Sequence, residues 1–168
     1  NANGLRFGIV VSKWNKNITD GLLKGAHDTL IDCGVHTSDI ENLEVPGSFE
    51  LIYGTKILAK RKLDAIICLG SVIKGETKHF DYVCQAVSNG IKDLNISLDI
   101  PVIFGVLTDN TMEQAVSRSG GSNGNKGIEA AMQFYYYGRR IAKTLRPTDA
   151  DFGLDHMDLS DFQESDFV

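Results

Sequence analysis

Three short stretches of this chain are apolar almost without interruption: LRFGIVVS (Leu5 to Ser12), DAIICLGSVI (Asp64 to Ile73) and PVIFGVLT (Pro101 to Thr108). They are rich in β-branched residues and apolar on both faces, as buried parallel strands are. A fourth and weaker run is IENLEVP (Ile40 to Pro46). Between the runs the spacing turns helical. Ile18 to Cys33 places Ile18, Leu22, Leu23, Ala26, Leu30 and Ile31 at helical intervals and ends at Gly34, a favourable residue just past a helix. Ser48 to Lys62 follows a Pro-Gly turn and ends in LAKRKL, with cations where the helix dipole favours them. Lys78 to Leu98 carries Val83, Ala86, Val87, Ile91 and Leu94 along one side. Met112 to Ser119 is short, and Lys126 to Leu145 is long and stops before Pro147. The order β-α-β-α-β-α-β-α predicts a four-stranded parallel sheet with helices on both faces and right-handed crossovers. The strand order expected is 2-1-3-4.

Length and composition fit one such domain. The chain has 168 residues, 42% hydrophobic and 23% charged, ordinary values for a globular protein. The net charge of −5 hides an asymmetry. Seven of the 22 acidic residues, and neither Lys nor Arg, lie from Thr148 onward, so residues 1–147 hold 17 basic and 15 acidic side chains, 17 − 15 = +2. Two parts follow: a near-neutral domain, residues 1–147, and an acidic tail, residues 148–168, which alternates acids with apolar residues and reads as a flexible tail or docking peptide. There is no basic stripe, so nucleic acid is not an expected partner. No run reaches the length of a membrane span, and NANGLRFGIVVS lacks the features of a secretory signal. Cys33, Cys68 and Cys84 lack metal-type spacing and read as small buried hydrophobes of a reducing compartment, which points to the cytoplasm.

Ligands of an open parallel sheet bind beyond the carboxyl ends of its strands, so the loops there carry the chemistry. After the first strand come Trp14 and Asn15. Trp14, the only tryptophan, is either a staple packing the first helix or a stacking surface for a flat ring. After the second strand come Ser48, Phe49 and Glu50. Ser48 is suited to cap the next helix, and Glu50 to accept hydrogen bonds from a heterocycle. After the third comes GSVIKGETKHF (Gly70 to Phe80). Gly70 and Gly75 permit close backbone approach, and Thr77 is placed to cap the helix that follows. A helix terminus with free N–H groups is a ready anion site, and His79 falls in its first turn, a ring that can carry protons near neutral pH. After the fourth strand, Thr111 or Asn110 can cap a short helix holding Arg118, a side chain suited to clamp phosphate. Lys126 opens the last helix against the dipole, which hints at function. No metal-ligand cluster, GxGxxG or GxxxxGK[ST] is present. The residues themselves point to an α/β domain binding a phosphorylated small molecule, with a histidine acid/base.

IVVSKWN, VPGSFEL, DAIICLGSVIKGETKHFDYV, PVIFGVLT and AVSRSGGSNGNKGIEAA together resemble, in order from about Phe7 to Leu145, the 6,7-dimethyl-8-ribityllumazine synthase family. The resemblance implies a three-layer α/β/α sandwich of flavodoxin-like kind. It also implies a transferase of riboflavin biosynthesis that condenses 5-amino-6-(D-ribitylamino)uracil with 3,4-dihydroxy-2-butanone 4-phosphate, without metal or redox cofactor. Carried across, it implies that Trp14 stacks on the pyrimidine and that Asn15 beside it binds substrate. Ser48, Phe49 and Glu50 hold the ribityl chain. Backbone groups of Ser71, Val72 and Ile73 bind pyrimidine edges. The loop through Lys74, Gly75, Glu76 and Thr77 lies by the butanone phosphate, which Arg118 ties down. His79 transfers protons, Phe104 lines the pocket, and Lys126 adds positive charge.

The same resemblance implies that Phe104, Arg118 and Lys126 reach a neighbouring subunit's pocket in a homo-pentamer. The uninterrupted RSGGSNGNKG loop favours further assembly into an icosahedral 60-mer. Trp14 stands where phenylalanine is common, so riboflavin is an expected additional ligand. Ser122 stands where lysine is frequent, and the acidic tail lies outside the resemblance. Two other readings compete: a non-catalytic cage of the same fold that holds a flavin or lumazine, and an enzyme that dismutates lumazine to riboflavin.

Overall fold

The computed structural model describes residues 2–145, with side chains described for residues 2–135. Four strands, β1 (Phe7–Ser12), β2 (Ile40–Val45), β3 (Ala65–Ile73) and β4 (Val102–Asp109), form one sheet in the order β2-β1-β3-β4. Every pairing in it is parallel, with Phe7 beside Ile40 on one side and Ala65 on the other, and Ile66 beside Val102. The expected strand order holds. β1 is buried along its whole length and β3 over its first seven residues, because each lies between two neighbours and under helices on both faces. β2 and β4 are the two edge strands; β2 is half-exposed along most of its length, which matches its weak apolar pattern, whereas β4 is largely buried.

Helices α1 (Lys16–Asp32), α2 (Leu51–Leu58), α3 (His79–Ser97), α4 (Met112–Ser117) and α5 (Lys126–Leu145) cover the sheet. Alternation of side chains along the strands divides the apolar residues into two cores. Phe7, Ile9, Val11, Ile67, Leu69 and Leu107 pack with α1 and α5. Val10, Ile66, Cys68, Val102 and Val106 pack with α2 and α3. The result is a three-layer α/β/α sandwich of flavodoxin-like kind. Phe134 of α5 meets Phe7 of β1 edge to face, with ring centroids 4.3 Å apart and planes at 89°. Cys68 is fully buried beside the Thr55 hydroxyl at 3.0 Å, and burial pushes its thiol pKa up to about 12. Among the described residues no helix is long and apolar enough to cross a membrane.

Several expected boundaries move. α2 begins at Leu51, three residues later than its pattern suggests, and ends at Leu58 rather than Lys62. Ser48 does not cap it: the N-cap is Glu50, with no side-chain cap, and the Ser48 hydroxyl has no hydrogen-bond partner. α3 begins at His79 rather than Lys78, and Thr77 Oγ1 accepts the His79 N–H at 3.3 Å. Of the two candidates ahead of α4, Thr111 is the cap. It forms a reciprocal box with Gln114. The glycine-rich stretch that follows is a small antiparallel hairpin, β5 (Ser119–Gly121) with β6 (Gly124–Asn125), which the apolar pattern did not announce. The tail, residues 148–168, lies outside the described residues.

Candidate active site

The carboxyl ends of β1, β2 and β3 open into a cleft of about 1060 Å³, closed on its far side by α3. Trp14 and Asn15 enter it from the β1 loop, and Ser48, Phe49 and Glu50 from the β2 loop. Ser71, Val72, Ile73, Gly75, Thr77 and His79 enter it from the end of β3 and the start of α3. Trp14 is 72% exposed, so it packs no helix and the staple reading falls away. Phe49 is 56% exposed and shares the cleft, giving it two aromatic surfaces.

The two loops can close on one another because of Gly70. A Cβ there would stand 2.6 Å from Ser48 Oγ and 3.0 Å from Leu51 Cδ1, so any larger residue would have to displace those two side chains. Gly75, by contrast, faces open space, and no close approach within the chain requires it. Glu50 Oε2 accepts the Gly47 N–H at 2.9 Å and so stiffens the Pro-Gly turn. The buried hydroxyls of Ser48 and Ser71 lack protein partners, although both residues line the cleft. Buried polar atoms are normally satisfied, so these two are poised for a ligand or an ordered water. His79 is exposed at the N-terminus of α3, where first-turn amides and the dipole favour an anion.

Five predicted residues lie away from the lining. Lys74 and Glu76 are exposed on the β3–α3 loop, and the Lys74 N–H donates to Asp109 O at 2.9 Å. Phe104 packs against the α2/α3 core. The Lys126 side chain is 16% exposed and its ammonium meets Glu129 at 2.7 Å, so the charge that seemed out of place at a helix start is neutralised one turn on. Arg118 Nη1 donates to Asp109 Oδ1 at 2.8 Å. The Asp109 side chain is 5% exposed, and its Oδ2 has no partner.

Sequence reasoning missed Asp109, which ends an apolar strand and gave no sign that it would be buried. It also missed the α3 wall, where Tyr82, Gln85, Ala86 and Asn89 line the cleft together with Phe80, Val83 and Met112. A signal for that wall was present: positions 82, 85 and 89 are polar or aromatic and fall on one helical face, opposite the buried Val87, Ile91 and Leu94, while Val83 and Ala86, expected on the apolar side, lie at the border and line the cleft.

A parallel α/β sheet with a polar and aromatic cleft at its strand ends, an exposed histidine and a helix terminus defines a binder of small molecules. The comparisons sharpen that class. The family profile described as 6,7-dimethyl-8-ribityllumazine synthase matches residues 4–138. A protein of that name from Flavobacterium johnsoniae is 61% identical over 133 residues, covering 79% of this chain and 70% of its own. One from Christiangramia forsetii is 60% identical over 134 residues, covering 79% and 80%. One from Parabacteroides distasonis is 55% identical over 132 residues, covering 78% and 82%. The chain belongs to the 6,7-dimethyl-8-ribityllumazine synthase family.

Proposed function

We propose that the protein condenses 5-amino-6-(D-ribitylamino)uracil with 3,4-dihydroxy-2-butanone 4-phosphate to give 6,7-dimethyl-8-ribityllumazine, phosphate and water. One observation carries the reading: a single cleft gathers an exposed indole, two unpartnered serine hydroxyls, a helix terminus and His79. The 5-amino group attacks the ketone, and loss of one water gives an imine. Elimination breaks the C–O bond to phosphate, and attack of the ribitylamino nitrogen closes the ring with loss of a second water. Each step relocates protons, which the imidazole of His79 is placed to accept and return. Positioning of both substrates supplies much of the acceleration. His79→Asn should therefore slow turnover by about 100-fold or more without abolishing it. A variant with unchanged kcat would remove His79 from the chemistry. Mixing the two substrates and following lumazine absorbance tests the function itself, and no absorbance change would favour the non-catalytic cage.

Arg118, Phe104 and Lys126 serve a neighbouring copy's cleft in this reading, within a cytoplasmic pentamer and a 60-subunit shell. Apolar side chains left exposed two residues from Arg118 and Lys126, Val116 and Ile128, support burial against such a neighbour. Native mass spectrometry decides between the assemblies, and a pentamer mass alone would overturn the shell. The exposed indole also suits riboflavin, whose ring is flat and aromatic. Titrating riboflavin should quench Trp14 emission, and unchanged emission would remove it as a ligand.

A further inference from the structure

Asn15 is the single non-glycine residue with positive φ among the described residues, at φ 57° and ψ 49°. It is the N-cap of α1, where an asparagine oxygen ordinarily accepts a first-turn N–H. Here the side chain makes no such bond. Nδ2 instead donates to the Ser71 carbonyl oxygen at 3.2 Å, reaching from the end of β1 to the end of β3. Two local preferences are thus set aside at one position, a right-handed backbone and a satisfied cap. Strain of this kind persists where the surrounding structure enforces it, and it gathers at functional sites.

Its neighbour shows what the strain achieves. The Trp14 N–H donates to Pro46 O at 3.1 Å, and the Lys13 N–H to Val45 O at 2.8 Å. Ser12 Oγ donates back to Trp14 O at 3.4 Å. Trp14 is therefore tied to the β2 loop on one side, and on the other the residue that follows it is tied to β3. The left-handed turn at Asn15 sends the chain directly into α1 and leaves the indole standing in the cleft. Without a tether, a side chain 72% exposed would have to be ordered whenever a ligand bound.

We propose that Asn15 is a positioning residue: its left-handed backbone and its bond to Ser71 hold Trp14 as a fixed platform for a flat heterocycle, and its own amide does not bind substrate. The inference rests on the stacking role given to Trp14 above and adds the part that keeps the platform still.

Two substitutions separate this role from a structural one. Asn15→Gly adopts the left-handed conformation freely but loses the tether. Asn15→Asp keeps the shape and is well suited to capping α1, yet it has no N–H for the Ser71 oxygen and sets acceptor against acceptor. Because Trp14 is the sole tryptophan, its fluorescence anisotropy in the ligand-free protein reports the platform directly. Both variants should lower that anisotropy. Both should raise KM for the ribitylaminouracil about three- to tenfold, the scale of one lost hydrogen bond, with KM for the butanone phosphate unchanged. Asn15→Asp should keep the wild-type Tm. Wild-type anisotropy and KM in both variants would overturn the proposal. So would a normal Asn15→Asp beside an impaired Asn15→Gly, because the N–H given to the Ser71 oxygen would then be dispensable. Trp14→Ala tests the stacking role separately. If it leaves KM for the uracil unchanged, that role fails, while the anisotropy still decides whether Asn15 fixes the indole.

Discussion

Gly127→Ala should destabilise the fold by about 3 kcal/mol, at the top of the range for overpacking a core. Gly127 opens α5 where that helix crosses α1. A Cβ there would lie far inside contact distance of the Leu22 carbonyl oxygen, with the carbonyl carbon at 2.7 Å and Leu22 Cα at 2.9 Å. All three atoms are backbone on the buried face of α1, so no rotamer change relieves the clash. The gain of roughly 1 kcal/mol from alanine's better helix propensity is too small to offset it. The position is further fixed by the Gly127 N–H, which donates to Asn125 Oδ1 at 2.8 Å, while Asn125 Nδ2 donates to Gly21 O at 2.9 Å. Thermal unfolding should show Tm lower by about 6–12 °C. An unchanged Tm would mean that α5 docks on α1 less closely than described. Ile128→Ala, one residue on and exposed, should leave the Tm of an isolated subunit nearly unaltered.

The parts of this fold that showed in the sequence are those fixed by local pattern. β1 and β3 are apolar on both faces because each is central, and that alone marks the sheet as parallel and doubly covered. Trp14, Ser48 and His79 could be placed at strand ends because ligand sites of such sheets fall there. What did not show depends on contacts between distant segments. Ser48 seemed a cap because its spacing allows one, but its hydroxyl lies inward in the space that Gly70 leaves open on β3, and the helix begins at Leu51. The hairpin from Ser119 to Asn125 has no apolar period to reveal it, and its short strands contain three glycines. Lys126 seemed exposed against the dipole until Glu129 was seen beside it. The partnership of Arg118 and Asp109 spans nine residues of strand end, loop and helix, and no helical or strand period links them.

That partnership shapes the largest effect expected on catalysis. Arg118→Ala should lower kcat/KM about a hundredfold, chiefly through KM for the butanone phosphate, because a guanidinium holding a dianion is worth far more than a neutral donor. The variant carries a second consequence that must be separated from the first. It strands the Asp109 carboxylate, 5% exposed and with Oδ2 already unpartnered. Removing one member of a fully buried pair costs about 3 kcal/mol at the charge left behind; the Arg118 side chain is 36% exposed, so solvent reduces that cost here, and Arg118→Ala should lower Tm by correspondingly less. Two further variants distinguish the causes. Arg118→Lys keeps a cation for Asp109 but loses the planar fork, so it should keep most of the stability and only part of the phosphate affinity. Arg118→Ala combined with Asp109→Asn removes the stranded charge, so it should recover Tm while activity stays low. Were the double variant to regain wild-type KM for the butanone phosphate, Arg118 would act only by neutralising Asp109, and the phosphate would have to be held by the amides at the start of α3 alone.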